Sequence, residues 1–288
     1  MPELPEVETI RRGLEKCILN KKIVQIKVLE PKSFIEENDK FLCNLAKNGP
    51  VKVVGLRRFG KALVLDLDDG NSLLIHLRMT GQLIWQGKER FAGGHPNENF
   101  VDNLPNKQTR VIFEFGDGKL FFNDQRKFGF VKVVMTKNVE KDAFIKKLAR
   151  EPWQMTVSDV KKEFTKHKNA LVKAVLLDQT VICGLGNIYA DETLFFAGVH
   201  PARRAGEVTD AEIEKILEGA KTVMERSLES GGSTMATYVK ADGTRGNYLD
   251  NFAQVFGREG QKCCRCGEKI VKIRVAGRGT HICPRCQK

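Results

Sequence analysis

Met1-Pro2-Glu3-Leu4-Pro5-Glu6-Val7-Glu8 opens the chain, and Thr9-Ile10-Arg11-Arg12 follows. Two readings of this stretch stand side by side. Val7, Ile10, Leu14, Cys17 and Ile18 recur at helical spacing, which predicts an amphipathic helix with an acidic, capped start. The small Pro2 side chain also permits removal of Met1, which would leave a secondary α-amine at the head of the chain. An α-amine titrates near pH ~8, against ~10.4 for a lysine, so it is partly uncharged at neutral pH without burial. Such an amine attacks a sugar aldehyde carbon and gives a cationic iminium directly, with Glu3 beside it as a general acid.

Outward from this start, 288 residues allow one large or two ordinary domains, and a hydrophobic share of 41% supplies real cores. No apolar run is long enough to span a bilayer, and Pro2, Glu3 and Glu6 are the wrong flank for a signal peptide. A cytoplasmic protein is the expectation. The formal net charge is +12, which points to a polyanionic partner rather than to a fold. Gly257 to Lys288 carries nine Lys/Arg and two Glu, so much of the excess is concentrated in the tail.

That tail holds the strongest local signal. Cys263-x2-Cys266 and Cys283-x2-Cys286 are sixteen residues apart, the pattern of a tetrahedral four-thiolate Zn²⁺ site. Four sulfur ligands leave no position for a reactive water, so one zinc with a folding role is expected. Cys264 is an extra thiol inside the first pair. Cys17, Cys43 and Cys183 lie among apolar residues and read as core thiols, which favours a reducing compartment over a disulfide framework. Between the cysteine pairs runs Lys272-Ile273-Arg274-Val275-Ala276-Gly277-Arg278-Gly279-Thr280. Its alternation suits a hairpin with one basic face, either solvated or turned to phosphate, and Lys272 belongs to that face.

The middle of the chain divides by period. Val51–Val54, Ala62–Leu67, Ser72–Leu77, Arg110–Phe115, Leu120–Phe122 and Phe130–Val134 are rich in β-formers. Asp68-Asp69-Gly70-Asn71 and Gly116-Asp117-Gly118 are hairpin signals between them. Gly87–Lys107 is polar and glycine-dotted and reads as a long loop. From about Asp142 the pattern turns helical: Ala170–Asp178, then Ile188–Ala197 closed by Gly198. The box Thr209-Asp210-Ala211-Glu212 opens a further helix. Ser233–Leu249 reads as a mobile loop. An α+β chain follows, with a strand-rich half, a helical half and a cysteine-rich tail.

Pro2 to Arg12, together with the cysteine tail, resembles the bacterial formamidopyrimidine-DNA glycosylases (Fpg, or MutM), and the likeness covers nearly the whole chain. Leu4 stands where relatives of the endonuclease VIII type carry glycine, which favours the first branch. The resemblance implies a two-layer β-sandwich with an N-terminal helix (1–140), a helix–two-turn–helix domain with a lesion-recognition loop (141–250) and a β-hairpin zinc finger (251–288). It implies a monomeric enzyme of base excision repair, acting near the nucleoid on double-stranded DNA with a damaged base. That enzyme would release 8-oxoguanine and formamidopyrimidines through a Pro2 Schiff base and then cut by β,δ-elimination. A glycosylase for oxidised pyrimidines and a non-catalytic zinc-finger DNA-binding protein are the alternatives.

By the same resemblance, Lys61 in Arg57-Arg58-Phe59-Gly60-Lys61 assists elimination and grips a phosphate, and Arg278 clamps a phosphate beside the lesion. Met79 in His76-Leu77-Arg78-Met79-Thr80-Gly81 enters the gap left by an extruded base. Arg126 in Asp124-Gln125-Arg126-Lys127-Phe128-Gly129 faces the orphaned cytosine, and Phe128 wedges into the stack. His76 joins the DNA-contacting set. Asn187 in Gly184-Leu185-Gly186-Asn187-Ile188-Tyr189 contacts phosphate. Gln108 and Phe256 stand where many members have histidine and tyrosine. From spacing alone, Met79 and Phe128 equally suit a packed core, and the Arg57–Lys61 stretch suits a solvated hairpin.

Overall fold

A computed structural model describes residues 2–36, 40–94, 103–232, 235–239, 245–246 and 248–288. By contacts the chain forms two compact units: Met1–Lys146 with Gly231–Asn247, and Lys147–Ser230 with Tyr248–Lys288.

The first unit opens with α1 (Leu4–Ile18), then β1 (Lys22–Val28), β2 (Phe34–Ile35), α2 (Lys40–Asn48), β3 (Val51–Phe59), β4 (Ala62–Leu67), β5 (Asn71–His76), β6 (Gly81–Gln86), β7 (Arg90–Gly94), β8 (Thr109–Phe115), β9 (Gly118–Asp124) and β10 (Phe130–Met135). The strands run β2-β10-β5-β4-β3-β1-β8-β9-β6-β7 in one hydrogen-bonded order. Only two residue pairs, Lys22 with Lys52 and Ile23 with Val51, join β1 to β3. The order therefore folds as two five-stranded layers about this narrow seam. Alternate residues of each layer share one core: Leu63, Leu65, Leu73 and Ile75 from one, Leu83, Trp85, Phe113 and Phe122 from the other. The helix stripe Val7, Ile10, Leu14, Cys17 and Ile18 is buried in the same core, as the spacing of the opening stretch predicts.

Two expectations need correction here. The segment Gly87–Lys107 contains a strand, β7, paired to β6 from Gln86–Arg90 to Gln82–Gly94. Its glycines pack rather than loop: a side chain on Gly94 would meet Gly81 O at 2.3 Å, and one on Gly13 of α1 would meet the buried Phe91 ring at 2.1 Å. Close backbone approach selected glycine, which reads as loop in sequence. Cys43 is exposed on α2, whose buried face is Phe41 and Leu45, so it is no core thiol; Cys17 and Cys183 are buried. The recognition loop read over Ser233–Leu249 lies partly outside the described residues. Its described backbone forms a two-stranded ribbon, β11 (Met235–Val239) with β12 (Arg245–Gly246).

The second unit contains α3 (Val157–Lys166), α4 (Val172–Leu177), α5 (Asn187–Ala197), α6 (Asp210–Ser230), the short α7 (Tyr248–Asn251), and the hairpin of β13 (Val271–Val275) and β14 (Arg278–Ile282). α5 is buried on nearly every side and ends on Gly198 at φ +72°. The box before α6 is made: Thr209 N–H donates to Glu212 at 2.8 Å, and Glu212 N–H to Thr209 Oγ1 at 3.3 Å.

Candidate active site and metal centre

Pro2 is buried at the mouth of α1, followed by Glu3 and Glu6, each 3% exposed. The Glu3 N–H donates to Glu6 Oε2 at 2.8 Å, satisfying one of the helix's orphan donors. Glu8, one turn further along, gathers three guanidinium groups: Arg11 at 3.1 Å, Arg12 at 2.8 Å and Arg58 at 3.1 Å. Burial pushes the Glu8 carboxyl up, but the hydrogen bonds from the three arginines outweigh it, and the group sits below the ordinary carboxylate range. Arg58 also donates to Gly60 O at 3.0 Å. Phe59 pairs with Ala62, so Gly60 and Lys61 make a two-residue turn, with Gly60 at φ +55°. The turn that carries Lys61 is thus tied to α1 by Arg58 and Glu8. Arg57 and Arg58 lie within β3, so this is no freely solvated basic turn.

Ala62 pairs with His76 across β4 and β5. Burial, and then the charges of Arg78 and Lys61, lower the His76 pKa to about 3. The imidazole is therefore neutral at physiological pH. Its Nδ1 accepts the Arg78 N–H at 3.0 Å, which assigns the ring proton to Nε2. Phe130 stacks on it at 5.9 Å and Phe144 meets it edge-on at 5.1 Å.

Two loops of this unit carry Met79, Arg126 and Phe128. Met79 is half-buried in the turn after β5. Phe128 is 55% exposed between β9 and β10, which excludes the core reading, and the Arg126 guanidinium lies 4.8 Å from its ring centroid. Behind both loops sits Asp124, fully buried. Its carboxylate accepts from Thr80 Oγ1 in the first loop, and from the N–H groups of Arg126 at 3.1 Å and Gly129 at 2.6 Å in the second. Gln108 is 8% exposed; its carbonyl accepts the Asp124 N–H at 2.9 Å and its amide oxygen takes Arg110 at 3.5 Å.

In the second unit the four cysteine sulfurs lie within 4.8 Å of one another, with Cys266–Cys283 at 3.4 Å and Cys263–Cys286 at 3.9 Å. A Zn–S bond near 2.3 Å puts tetrahedral sulfurs about 3.8 Å apart, within that spread. Burial, and then its three cysteine neighbours, push the Cys286 thiol up, so four thiolates this close together need a cation among them. Cys264 is exposed and outside the cluster. Cys263, Ile270 and Cys283 share a core with Phe195 of α5 and Val255, and Arg265 spans to the Phe195 carbonyl at 2.9 Å.

Val275 pairs with Arg278 in the hairpin above the cysteines, leaving Ala276 at φ +49° and Gly277 at φ +74° as its turn. Lys272, Arg274 and Arg278 are exposed, as the alternation predicts. Asn187 opens α5; its Nδ2 donates to Gly279 O at 3.0 Å, and its Oδ1 is buried with no hydrogen-bond partner. Beneath the hairpin lies a buried ion pair. Lys173 Nζ reaches Asp191 Oδ1 at 2.5 Å and Thr280 Oγ1 at 2.7 Å, and Asp191 Oδ2 takes the His281 N–H at 2.9 Å.

Against known proteins, residues 1–131 match the formamidopyrimidine-DNA glycosylase N-terminal domain, 148–239 the formamidopyrimidine-DNA glycosylase H2TH domain, and 260–288 a zinc finger found in FPG and IleRS. A formamidopyrimidine-DNA glycosylase of Pelotomaculum thermopropionicum is 39% identical over 100% of this chain and 99% of its own. The chain belongs to the formamidopyrimidine-DNA glycosylase family. The Listeria innocua member is 40% identical over the full length of both chains. Solved members align over the full length of both chains: a Lactococcus lactis Fpg variant with Fapy-dG-containing DNA (TM-score 0.86, 33% identity), the wild-type L. lactis Fpg with oxidised-pyrimidine-containing DNA (0.85, 34%) and a MutM with carbocyclic 8-oxo-G-containing DNA (0.84, 33%). Membership and the sulfur geometry agree on one structural zinc held by Cys263, Cys266, Cys283 and Cys286.

Sequence reasoning missed the buried and half-buried polar residues that brace the loops and helices within each unit. Asp124 and Thr80 lie inside the quoted motifs, and Asp191 and Glu192 inside the helical run Ile188–Ala197, but none was given a role there. Glu192 is buried and accepts the N–H groups of Gln254, Val255 and Phe256 at 2.9, 2.9 and 2.8 Å. Burial pushes its carboxyl up, against those three donors. An Asp able to accept the N–H two residues on, as Asp124 accepts that of Arg126, is the signal that could have marked the second loop.

Proposed function

We propose that this chain is a bifunctional DNA glycosylase and abasic-site lyase of base excision repair, acting on oxidised purines in duplex DNA. The observation that carries the reading is full-length kinship with formamidopyrimidine-DNA glycosylases, including members solved on lesion-containing DNA. In this reading Met1 is removed and the Pro2 nitrogen attacks C1′ of the damaged nucleotide. The glycosidic electron pair leaves with the base, which takes a proton. The C1′–O4′ bond then opens, its electron pair going to O4′, which takes a proton, and leaves a ring-opened iminium that acidifies C2′; loss of that proton expels the 3′ phosphate by β-elimination, and a second elimination expels the 5′ phosphate. Glu3 is the acid nearest Pro2 in the chain, and Lys61 serves elimination from its braced turn.

The remaining roles follow from what each side chain presents. A neutral His76 contacts DNA as an Nε2–H donor rather than as a charge. Met79 and Phe128 take the place of the extruded base and its stacking, and Arg126 reads the orphaned cytosine. Arg278 and Lys272 meet phosphate, and Asn187 does so beside the first N–H groups of α5. Gln108 contacts DNA only if its amide turns out from Arg110. Zinc, bound to the four cysteines, stabilises the fold of the finger and enters no chemical step. We read the functional divisions as 1–140, 141–250 and 251–288, in a monomer acting in the bacterial cytoplasm.

One observation favours a broader substrate range: the L. lactis relative was solved on oxidised-pyrimidine DNA. Borohydride trapping on matched oxidised-guanine and oxidised-pyrimidine duplexes tests both readings. Covalent capture on the oxidised-guanine duplex, faster than on the pyrimidine one, is expected. Capture must disappear in Pro2→Gly while DNA binding persists. No capture by the wild type would leave a non-catalytic DNA-binding protein instead.

A further inference from the structure

Arg126 and Phe128 sit on one loop and Met79 on another, and neither loop is positioned by its own backbone alone. Met79 follows Arg78, a non-glycine residue at φ +50°, and Arg126 precedes Lys127 at φ +57°. Two left-handed residues in adjacent turns are unfavourable unless the surroundings hold them. The holding group is Asp124. One carboxylate oxygen serves the first loop through Thr80 Oγ1 and the start of the second through the Arg126 N–H; the other takes the Gly129 N–H at its end. Thr80 Oγ1 is a bridge in its own right, because it also accepts the Arg126 N–H at 3.0 Å. The site is anchored from below, where Arg110 Nε donates to the Asp124 carbonyl at 2.7 Å. A side chain on Gly129 would meet the Phe122 ring at 2.8 Å and His76 O at 3.0 Å, so the second loop closes directly onto the strand that bears His76.

We propose that Asp124 and Thr80 are positioning residues: a clasp between the two loops that sets Met79 against Arg126 and Phe128, and so sets how strictly the base opposite the lesion is read. The inference rests on the function proposed above. It differs from it in assigning opposite-base selectivity to one buried and one half-buried group that act through the two loops. The chemistry of the clasp is specific. It needs an acceptor on both carboxylate oxygens, so an amide at 124 would turn an N–H₂ toward either the Gly129 N–H or the Arg126 N–H. It needs a hydroxyl at 80 that donates to one loop and accepts from the other, so valine, of the same shape, breaks it and serine keeps it.

The experiment compares wild type, Thr80→Val, Thr80→Ser and Asp124→Asn. Base excision is measured on duplexes with oxidised guanine opposite cytosine or adenine. Borohydride trapping is measured on single-stranded DNA with a pre-formed abasic site, which needs neither extrusion nor an opposite base. Thr80→Val and Asp124→Asn should lower the cytosine-to-adenine ratio about tenfold, the factor carried by one hydrogen bond to a charged group. Trapping should stay within about twofold of wild type, and Thr80→Ser should restore the ratio. An unchanged ratio in Thr80→Val with normal trapping overturns the clasp alone. Equal loss of trapping and ratio also overturns it, because the residues would then only hold the fold. A wild type that does not trap at all removes the enzymatic reading beneath it.

Discussion

Replacing Lys173 with methionine should destabilise the second unit far more than the loss of one surface charge would. Lys173 and Asp191 are both fully buried, and the ammonium reaches Asp191 at 2.5 Å, Thr280 at 2.7 Å and Gly279 O at 3.3 Å. Methionine keeps most of the side-chain length and its packing. It removes the cation and leaves a buried carboxylate that still accepts the His281 N–H at 2.9 Å. Breaking one side of a buried pair costs roughly 3–5 kcal/mol, because the other charge stays uncompensated. In a unit of this size each kcal/mol lowers the midpoint by about 2–4 °C, so a fall on the order of 10 °C is expected.

The assay follows zinc release with a metallochromic indicator during heating, which reports the finger that the pair anchors to α5. Lys173→Met/Asp191→Asn is the decisive companion. It removes both charges yet keeps an acceptor for the His281 N–H, so it should recover at least half of the loss. If Lys173→Met costs under about 1 kcal/mol, or if the two substitutions simply add, the ion pair does not carry the anchoring assigned to it.

Cys266→Ser should abolish stoichiometric zinc by elemental analysis and unfold the finger, whose core holds Phe195 of α5, while a folded first unit persists; structural zinc is worth on the order of 10 kcal/mol to such a module. Arg126→Ala should shrink the preference for cytosine over adenine opposite oxidised guanine, whereas Lys272→Ala should weaken binding to all duplexes and lower the salt slope by about one, both read by excision and binding at several salt concentrations. The buried neutral His76 makes a signed pH prediction. Its pKa is about 3 in the folded chain against an ordinary 6.5 in the unfolded one, so its stability contribution is complete above 6.5 and is lost as pH falls toward 3, at about 1.4 kcal/mol per pH unit. Urea midpoints at pH 7 and pH 5 should therefore separate wild type from His76→Gln by about 2 kcal/mol in pH sensitivity.

What was legible in the sequence was what repeats or is spaced. The α1 stripe, the strands around Ala62–Leu67 and Arg110–Phe115, the box at Thr209 and the four cysteines each follow a local period or interval, and each stands where that interval puts it. The strand β7 was not legible, because its residues answer to partners outside their own run: Gly94 to Gly81 on the neighbouring strand, and Phe91 to Gly13 of α1. The same distance hid the polar supports. Lys173 meets Thr280 across 107 residues, and Glu192 meets Val255 across 63. No window of sequence contains both members of either pair.

Those supports share a form that bears on the two departures, Gln108 and Phe256. In each case the backbone is held by a group other than the side chain that differs. The Gln108 N–H donates to Asn106 Oδ1 at 2.8 Å and its carbonyl takes the Asp124 N–H. The Phe256 N–H donates to Glu192 at 2.8 Å, and its ring meets His281 edge-on at 5.0 Å. A main chain fixed by a buried acceptor keeps its path when the side chain above it changes, because the hydrogen bond asks only for an N–H. Substitution at 108 or 256 is then local, and its cost is limited to whatever contact that one side chain makes. At Asp124 and Glu192 the side chain is itself the partner of several N–H groups, and Thr80 links one such N–H to the Asp124 carboxylate, so a substitution there moves a whole loop. The residues least conspicuous in the sequence are for that reason the ones this architecture can least exchange.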